Sequence, residues 1–171
     1  MLKNFADKLS ITNIAASVTP KETPKHDDFL LKSDRNPNTR GAALLGYDMK
    51  GESTRALLQK KLAVLFIFQH DLSGGFDANE LQALQNVATI VFNGTNQNAT
   101  SNLAHMVLPA ASWLEKDGSF TNFADRVQRI RKAIDPLGDA QPEWMIFKKL
   151  GRLLQVPMPA VEVEDVFHAL A

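Results

Sequence analysis

Two polar clusters sit directly behind apolar runs. Gln69-His70-Asp71, followed by Ser73-Gly74-Gly75, and Asn93-Gly94-Thr95-Asn96-Gln97-Asn98 concentrate amides, hydroxyls and a carboxylate. That is chemistry suited to hydrogen-bonding a nucleotide or a pterin. The same residue types are what any turn uses, and turn use is the stronger expectation from sequence. Neither G-x-G-x-x-G nor G-x-x-x-x-G-K-[ST] occurs, so no phosphate-binding fingerprint supports the clusters. Glu115 and Asp117 could form an acid/base pair, but carboxylates in a glycine turn are more often solvated. The four histidines, at positions 26, 70, 105 and 168, lack metal-ligand spacing, and G-x-S-x-G is absent. With no cysteine in the chain, thiolate metal sites, iron–sulfur clusters and cysteine nucleophiles are excluded. Asn93-Gly-Thr95 and Asn98-Ala-Thr100 match the glycosylation sequon without a secretory context to give it meaning.

The balance of 19 basic against 19 acidic residues gives zero formal charge, and with it no general pull toward nucleic acid or anionic membrane. Arg126-Val-Gln-Arg-Ile-Arg-Lys132 is locally basic, but no aromatic residues interleave it as a single-strand binder requires. At 171 residues, 44% hydrophobic and 22% charged, the composition is that of an ordinary globular domain. The N-terminal stretch lacks the uninterrupted apolar core of a secretory signal, and Leu62–Phe68 is the longest apolar run, far short of a membrane helix. A cytoplasmic location is expected.

The elements that must position these clusters follow the α/β rhythm. Residues 1–52 read as an irregular segment. It holds a short amphipathic helix over 1–11, a solvated linker over 19–28, and turns around a short helical piece over 34–47. Residues 53–171 read as the α/β domain. Ser53 is a candidate N-cap for a helix over 53–61. Leu62–Phe68 is apolar at every position, which predicts a strand covered on both faces, as in a parallel sheet between helices. Asp77 and Glu80 form a capping box for a helix to about Asn86, with Leu81 and Leu84 inward. Strands are expected over 87–92 and 106–108, and helices over 142–155 and at the C-terminus. The fold class is therefore α/β, a small parallel sheet with flanking helices. Phe123, Val127, Ile130 and Ile134 keep helical spacing, so periodicity alone makes this stretch a helix.

The long stretch from Ala104 through Leu154, "AHMVLPAASWLEKDGSFTNFADRVQRIRKAIDPLGDAQPEWMIFKKLGRLL", resembles the molybdopterin oxidoreductase superfamily. The family pattern is a strand ending in Leu-Pro, a loop E-K-x-G-T-x-T-N-x-E-G-R-x-Q, and a helix opened by a Trp. "HDDFLLKSDRNPNTRGAALLGY" points more narrowly to the large iron–sulfur subunit of NADH:quinone oxidoreductase, respiratory complex I. The likeness runs over residues 26–155. It implies that Glu115, Gly118, Ser119, Thr121, Asn122, Arg126 and Gln128 match the cofactor-loop motif, with Thr95 and Asn96 added from the loop behind the second strand. Gly118 would permit a tight turn, and Arg126 would hold Glu115 or a phosphate. The resemblance also implies that Arg126–Lys132 is extended, against the helical periodicity, and we follow it. His105, Ser119, Ala124-Asp125 and Gln69 depart from the pattern, which favours Asp, Thr, Glu-Gly and Gly.

The chain is much shorter than a complete member of that family and lacks its cluster-bearing part. The resemblance thus implies a structural portion of a complex I large subunit in the peripheral arm, with no cofactor bound by this chain. Its partners would be other subunits of a respiratory oxidoreductase, above all a cluster-bearing one; it would bind no nucleic acid, and would reach the membrane only through those partners. A second reading is one half of a split, formate dehydrogenase-like enzyme binding molybdopterin guanine dinucleotide. A third is a stand-alone module for a small ligand.

Overall fold

In the computed structural model, described for residues 2–18, 27, 29, 31–34, 36–49, 51–158 and 163–164, a three-stranded parallel sheet carries the core. Its strands are β1 (Val64–Phe68), β2 (Thr89–Gly94) and β3 (Met106–Pro109), side by side in the order β1-β2-β3. Phe66 pairs with Val91, and Phe92 with Val107. The expected fold class and all three strands are borne out, with β2 lying two residues further along than expected. The expected linker over 19–28 and C-terminal helix fall almost wholly outside the described residues.

One face of the sheet packs on a cluster of Ile67, Ile90 and Phe92 with Leu58, Leu72, Phe76 and Leu84. Leu58 comes from α3 (Glu52–Leu58). Leu72 and Leu84 lie in 3₁₀ turns on either side of α4 (Ala78–Gln82). The capping box forms as expected: Asp77 accepts from the Glu80 amide at 2.8 Å, and Glu80 accepts from the Asp77 amide at 2.8 Å. On the other face Phe147 of α6 (Glu143–Leu153) lies against Phe68, with ring centroids 4.9 Å apart, and against Phe5 of α1 (Leu2–Lys8), 5.5 Å away. Such tilted aromatic pairs add to what burial alone contributes.

Coverage on both faces, inferred from the apolar runs, holds only for β2. On β1, Phe66 is 43% exposed, and on β3 the neighbours Met106 and Val107 are 54% and 53% exposed. Successive strand residues point to opposite faces, so β3 is open on both. Ser53 does not cap α3 either. Gly51 occupies the N-cap position in a left-handed conformation, and the Ser53 amide donates to Asp48 at 3.1 Å.

β4 (Gly118–Thr121) and β5 (Val127–Ile130) form a separate antiparallel hairpin, with Gly118 opposite Ile130 and Thr121 opposite Val127. The extended reading of 126–132 is thereby supported over the helical periodicity. α2 (Thr39–Leu44), the short helical piece expected within 34–47, packs on β4.

Behind β1, His70 is half-buried, with Nε2 2.9 Å from the Ser17 hydroxyl. Burial pushes its pKa down against the opposing charge of Asp71, so the folded state prefers a neutral imidazole. The unfolded chain therefore binds more protons over the ordinary histidine range, and stability is lost as pH falls through it. The melting temperature of wild type should drop relative to that of His70→Asn between about pH 8 and about pH 5.5. Parallel pH profiles of the two proteins would contradict this.

Candidate functional site

In parallel sheets, ligands gather at the carboxyl ends of the strands. Here the ends of β1 and β3 are linked through Gln141 and Glu143. β1 ends at Phe68, and the next residue, Gln69, has a left-handed backbone at φ 52° and an amide that donates to the Asn93 carbonyl at 2.7 Å. At the end of β3, the Gln141 amide donates to the Pro109 carbonyl at 3.2 Å, and the Gln141 carbonyl accepts from the Ala111 amide at 2.9 Å. Two residues on, Glu143 opens α6 and accepts from the Gln69 side-chain amide at 2.7 Å. Gln141 thus lies along the end of β3, and the Glu143 side chain reaches the residue that follows β1. The Lys116 ammonium closes the arrangement by donating to both Glu143 oxygens, at 2.8 and 2.7 Å. At the end of β2, Asn93 is 1% exposed; its Nδ2 donates to the Leu108 carbonyl at 2.9 Å, while its Oδ1 has no donor among the described residues.

The loop behind β2 splits into a structural half and a free half. Asn98 caps α5 (Ala99–Asn102) reciprocally with Ser101. The buried Thr100 hydroxyl accepts from the Leu72 amide at 2.8 Å and donates to Asp71 at 2.8 Å. Burial disfavours charge on Asp71, but the bonds from Thr100 and Ser73 outweigh it and hold its pKa below the usual carboxylate range. Thr95 and Asn96 are exposed and bonded only to each other, at 3.3 Å, among the described residues.

The motif residues divide similarly. Glu115 accepts from the Ser112 amide at 2.7 Å; that bond, together with the Ser112 hydroxyl, keeps its pKa low. Arg126 therefore does not hold Glu115, and its exposed guanidinium has no partner among the described residues. Gly118 is no turn residue: it lies in β4, and a Cβ there would meet Ile130 at an ordinary 3.7 Å. The tight turn comes at Asn122–Asp125, where the Asp125 amide donates to the Asn122 carbonyl at 3.1 Å and Asp125 is left-handed at φ 60°. A turn followed by a left-handed residue is a usual way to close a short hairpin. It puts the left-handed conformation at the position where the family pattern has Gly. Asn122 Oδ1 accepts from the Ala124 and Arg126 amides at 2.9 and 3.0 Å, and its Nδ2 reaches Gln128 at 3.5 Å. Arg40 grips Asp125 with two bonds of 2.8 and 2.6 Å. Ser119 and Thr121 are engaged through their backbone by Asn38, whose Nδ2 donates to the Ser119 carbonyl at 3.3 Å and whose Oδ1 accepts from the Thr121 amide at 2.7 Å.

Gln69 and Asn93 stand in the polar clusters that the sequence singled out, whereas sequence reasoning missed Asn38, Lys116 and Glu143 as site-shaping residues. Lys116 belongs to the family loop pattern. No local pattern announced Asn38 or Glu143. Among the described residues no group of three or more His, Cys, Asp or Glu could hold a metal ion. No helix among them is long and apolar enough to cross a membrane.

The molybdopterin oxidoreductase family model matches residues 4–153. The alpha subunit of the F420-dependent formate dehydrogenase of Methanocaldococcus jannaschii is 36% identical over 143 residues, 81% of this chain and 20% of the relative. In Methanococcus maripaludis, the alpha subunit of F420-dependent formate dehydrogenase 2 is 51% identical over 75 residues, 43% of this chain and 11% of that protein. The chain thus spans a fifth or less of the length of these relatives. Acetylene hydratase from Pelobacter acetylenicus shares the fold, with a TM-score of 0.53 and 20% identity over 63% of this chain and 16% of its own. The two alpha subunits correct the narrower assignment: both belong to formate dehydrogenases, which overturns the reading as a structural part of NADH:quinone oxidoreductase.

Proposed function

This chain belongs to the molybdopterin oxidoreductase family, and on that premise we propose that it is part of a formate dehydrogenase-like catalytic subunit, holding a portion of a molybdopterin guanine dinucleotide. The observation that carries the reading is the 36% identity to a formate dehydrogenase alpha subunit along 81% of the chain. The donor types suit such a group. Thr95 and Asn96 offer a hydroxyl and an amide with no bond beyond each other among the described residues, Arg126 an unengaged guanidinium, and Gln128 an exposed amide. A guanidinium presents two parallel donors to a phosphate, while amides match the edge of a guanine or pterin ring. Asn93 adds a buried acceptor without a donor among the described residues.

In this reading Arg126 holds a phosphate, Thr95, Asn96 and Gln128 orient the polar edges, and Asn122 keeps the Arg126 backbone in place through its side-chain carbonyl. Glu115, Gly118, Ser119 and Thr121 act through the shape of the hairpin. When bound, the group supplies two-electron exchange at its metal. The other subunits of a formate-oxidising assembly are the expected partners.

The test is to purify the chain from its native cell with whatever stays bound and to assay molybdenum, tungsten and released pterin. We expect metal and pterin in proportion to the chain, and a severalfold loss of both in Arg126→Ala at unchanged melting temperature. An intact assembly devoid of pterin would overturn the reading.

A further inference from the structure

We propose that Lys116 and Glu143, tied to Gln69, are positioning residues: they brace the 112–117 loop against the carboxyl edge of the sheet and thereby set how firmly the following hairpin holds the dinucleotide. This rests on the cofactor reading above.

The geometry is that of a strut. The Lys116 ammonium contacts both Glu143 oxygens, and Glu143 Oε1 also accepts the Gln69 amide at 2.7 Å. The two charged side chains are only 19% and 22% exposed, so their bonds are charge-assisted and less screened than a surface pair. The three residues come from the end of β1, the loop behind β3 and the first residue of α6. Gln69 sits in a left-handed conformation at φ 52°, which a residue with a Cβ adopts only at a cost. A strained backbone whose side chain completes a network is held there by its surroundings.

The direction of the strut matters. Consecutive residues pull the loop two ways: Glu115 folds back on Ser112, while Lys116 reaches out to α6. β4 begins at Gly118, so slack at Lys116 passes directly into the strand carrying Ser119 and Thr121 and into the turn before Arg126. The core does not depend on this pair, because α6 is already fixed through Phe147 against Phe5 and Phe68. The brace therefore governs the placement of the hairpin and leaves the global fold intact.

Lys116→Gln, Glu143→Gln and Lys116→Arg, introduced in the native host, test this. The readouts on the purified assembly are pterin per chain, its rate of loss on dilution, and hydrogen exchange over 112–126. We expect Lys116→Gln and Glu143→Gln to lose pterin about tenfold faster, the effect typical of removing a supporting partner, with faster exchange in the loop. Lys116→Arg should stay close to wild type. Looser exchange with unchanged pterin retention would overturn the brace while leaving the cofactor reading standing. So would an Arg variant as poor as the Gln variant. A wild-type assembly without pterin removes the cofactor reading, and the brace with it.

Discussion

Phe92→Ala should destabilise the protein by about 3–5 kcal/mol, the usual cost of emptying a large buried ring site. The ring is 1% exposed, lies on the central strand and belongs to the core cluster on the covered face of the sheet. Being central, β2 has no free edge along which a neighbour could close the gap. A companion effect makes the prediction sharper. The ring curls over Gly94, where an added Cβ would lie 2.4 Å from its edge. That ring is the far end of a side chain, but one with no room to swing in a packed core. Gly94→Ala should therefore cost about 1–3 kcal/mol by overpacking. In the Phe92→Ala background the same change should cost almost nothing, since the obstructing ring is gone. Urea midpoints of the four proteins measure the cycle, and additive losses would show that the ring does not exclude a Cβ at position 94.

The sequence announced what is local and missed what spans the chain. Asp77 and Glu80 are three residues apart, so their capping box was legible from spacing alone. The strands were legible because apolar runs bounded by polar loops have few other uses. By periodicity alone Phe123, Val127, Ile130 and Ile134 would have misled, since their helical spacing is accidental: β5 is extended, as the resemblance implied, because β4 offers it a hydrogen-bonded edge. Ser53 misled differently, because the acceptor at the start of α3 is the Asp48 side chain from upstream. The brace could not be read at all. Its bonds join residues 74 and 27 apart, with no period linking them. Among the candidate binding residues, the exposed ones (Thr95, Asn96, Arg126 and Gln128) keep free polar groups, whereas Glu115 and the Asn122 side-chain carbonyl are engaged by backbone amides. Residue type could not separate the two groups; only the bonds do.

That distinction turns on how the hairpin is pinned, and here Asn38 carries the second large effect. Its amide meets β4 as a short strand would, accepting from the Thr121 amide at 2.7 Å and donating to the Ser119 carbonyl at 3.3 Å. Thr121 is buried, so deleting the amide leaves an N–H without a partner and without water, a loss of about 1–3 kcal/mol. Asn38 is also left-handed, at φ 65°, a conformation that asparagine tolerates better than alanine. Asn38→Ala should therefore cost about 2–4 kcal/mol through both routes. Asn38→Gly should cost less, because it removes the bonds while relieving the backbone. The order wild type, Gly, Ala in denaturant midpoint, together with faster exchange at the Thr121 amide in both variants, is the expected result. If Gly proved no better than Ala, backbone strain would have no part in the loss. If Thr121 stayed protected in both, the amide would not be what pins the strand. Because Arg40, two residues further on, grips Asp125 at the hairpin turn, the same variants should also loosen the turn that presents Arg126. Ligand affinity and hairpin stability would then fall together, as they must if the α2 segment is what aims the loop.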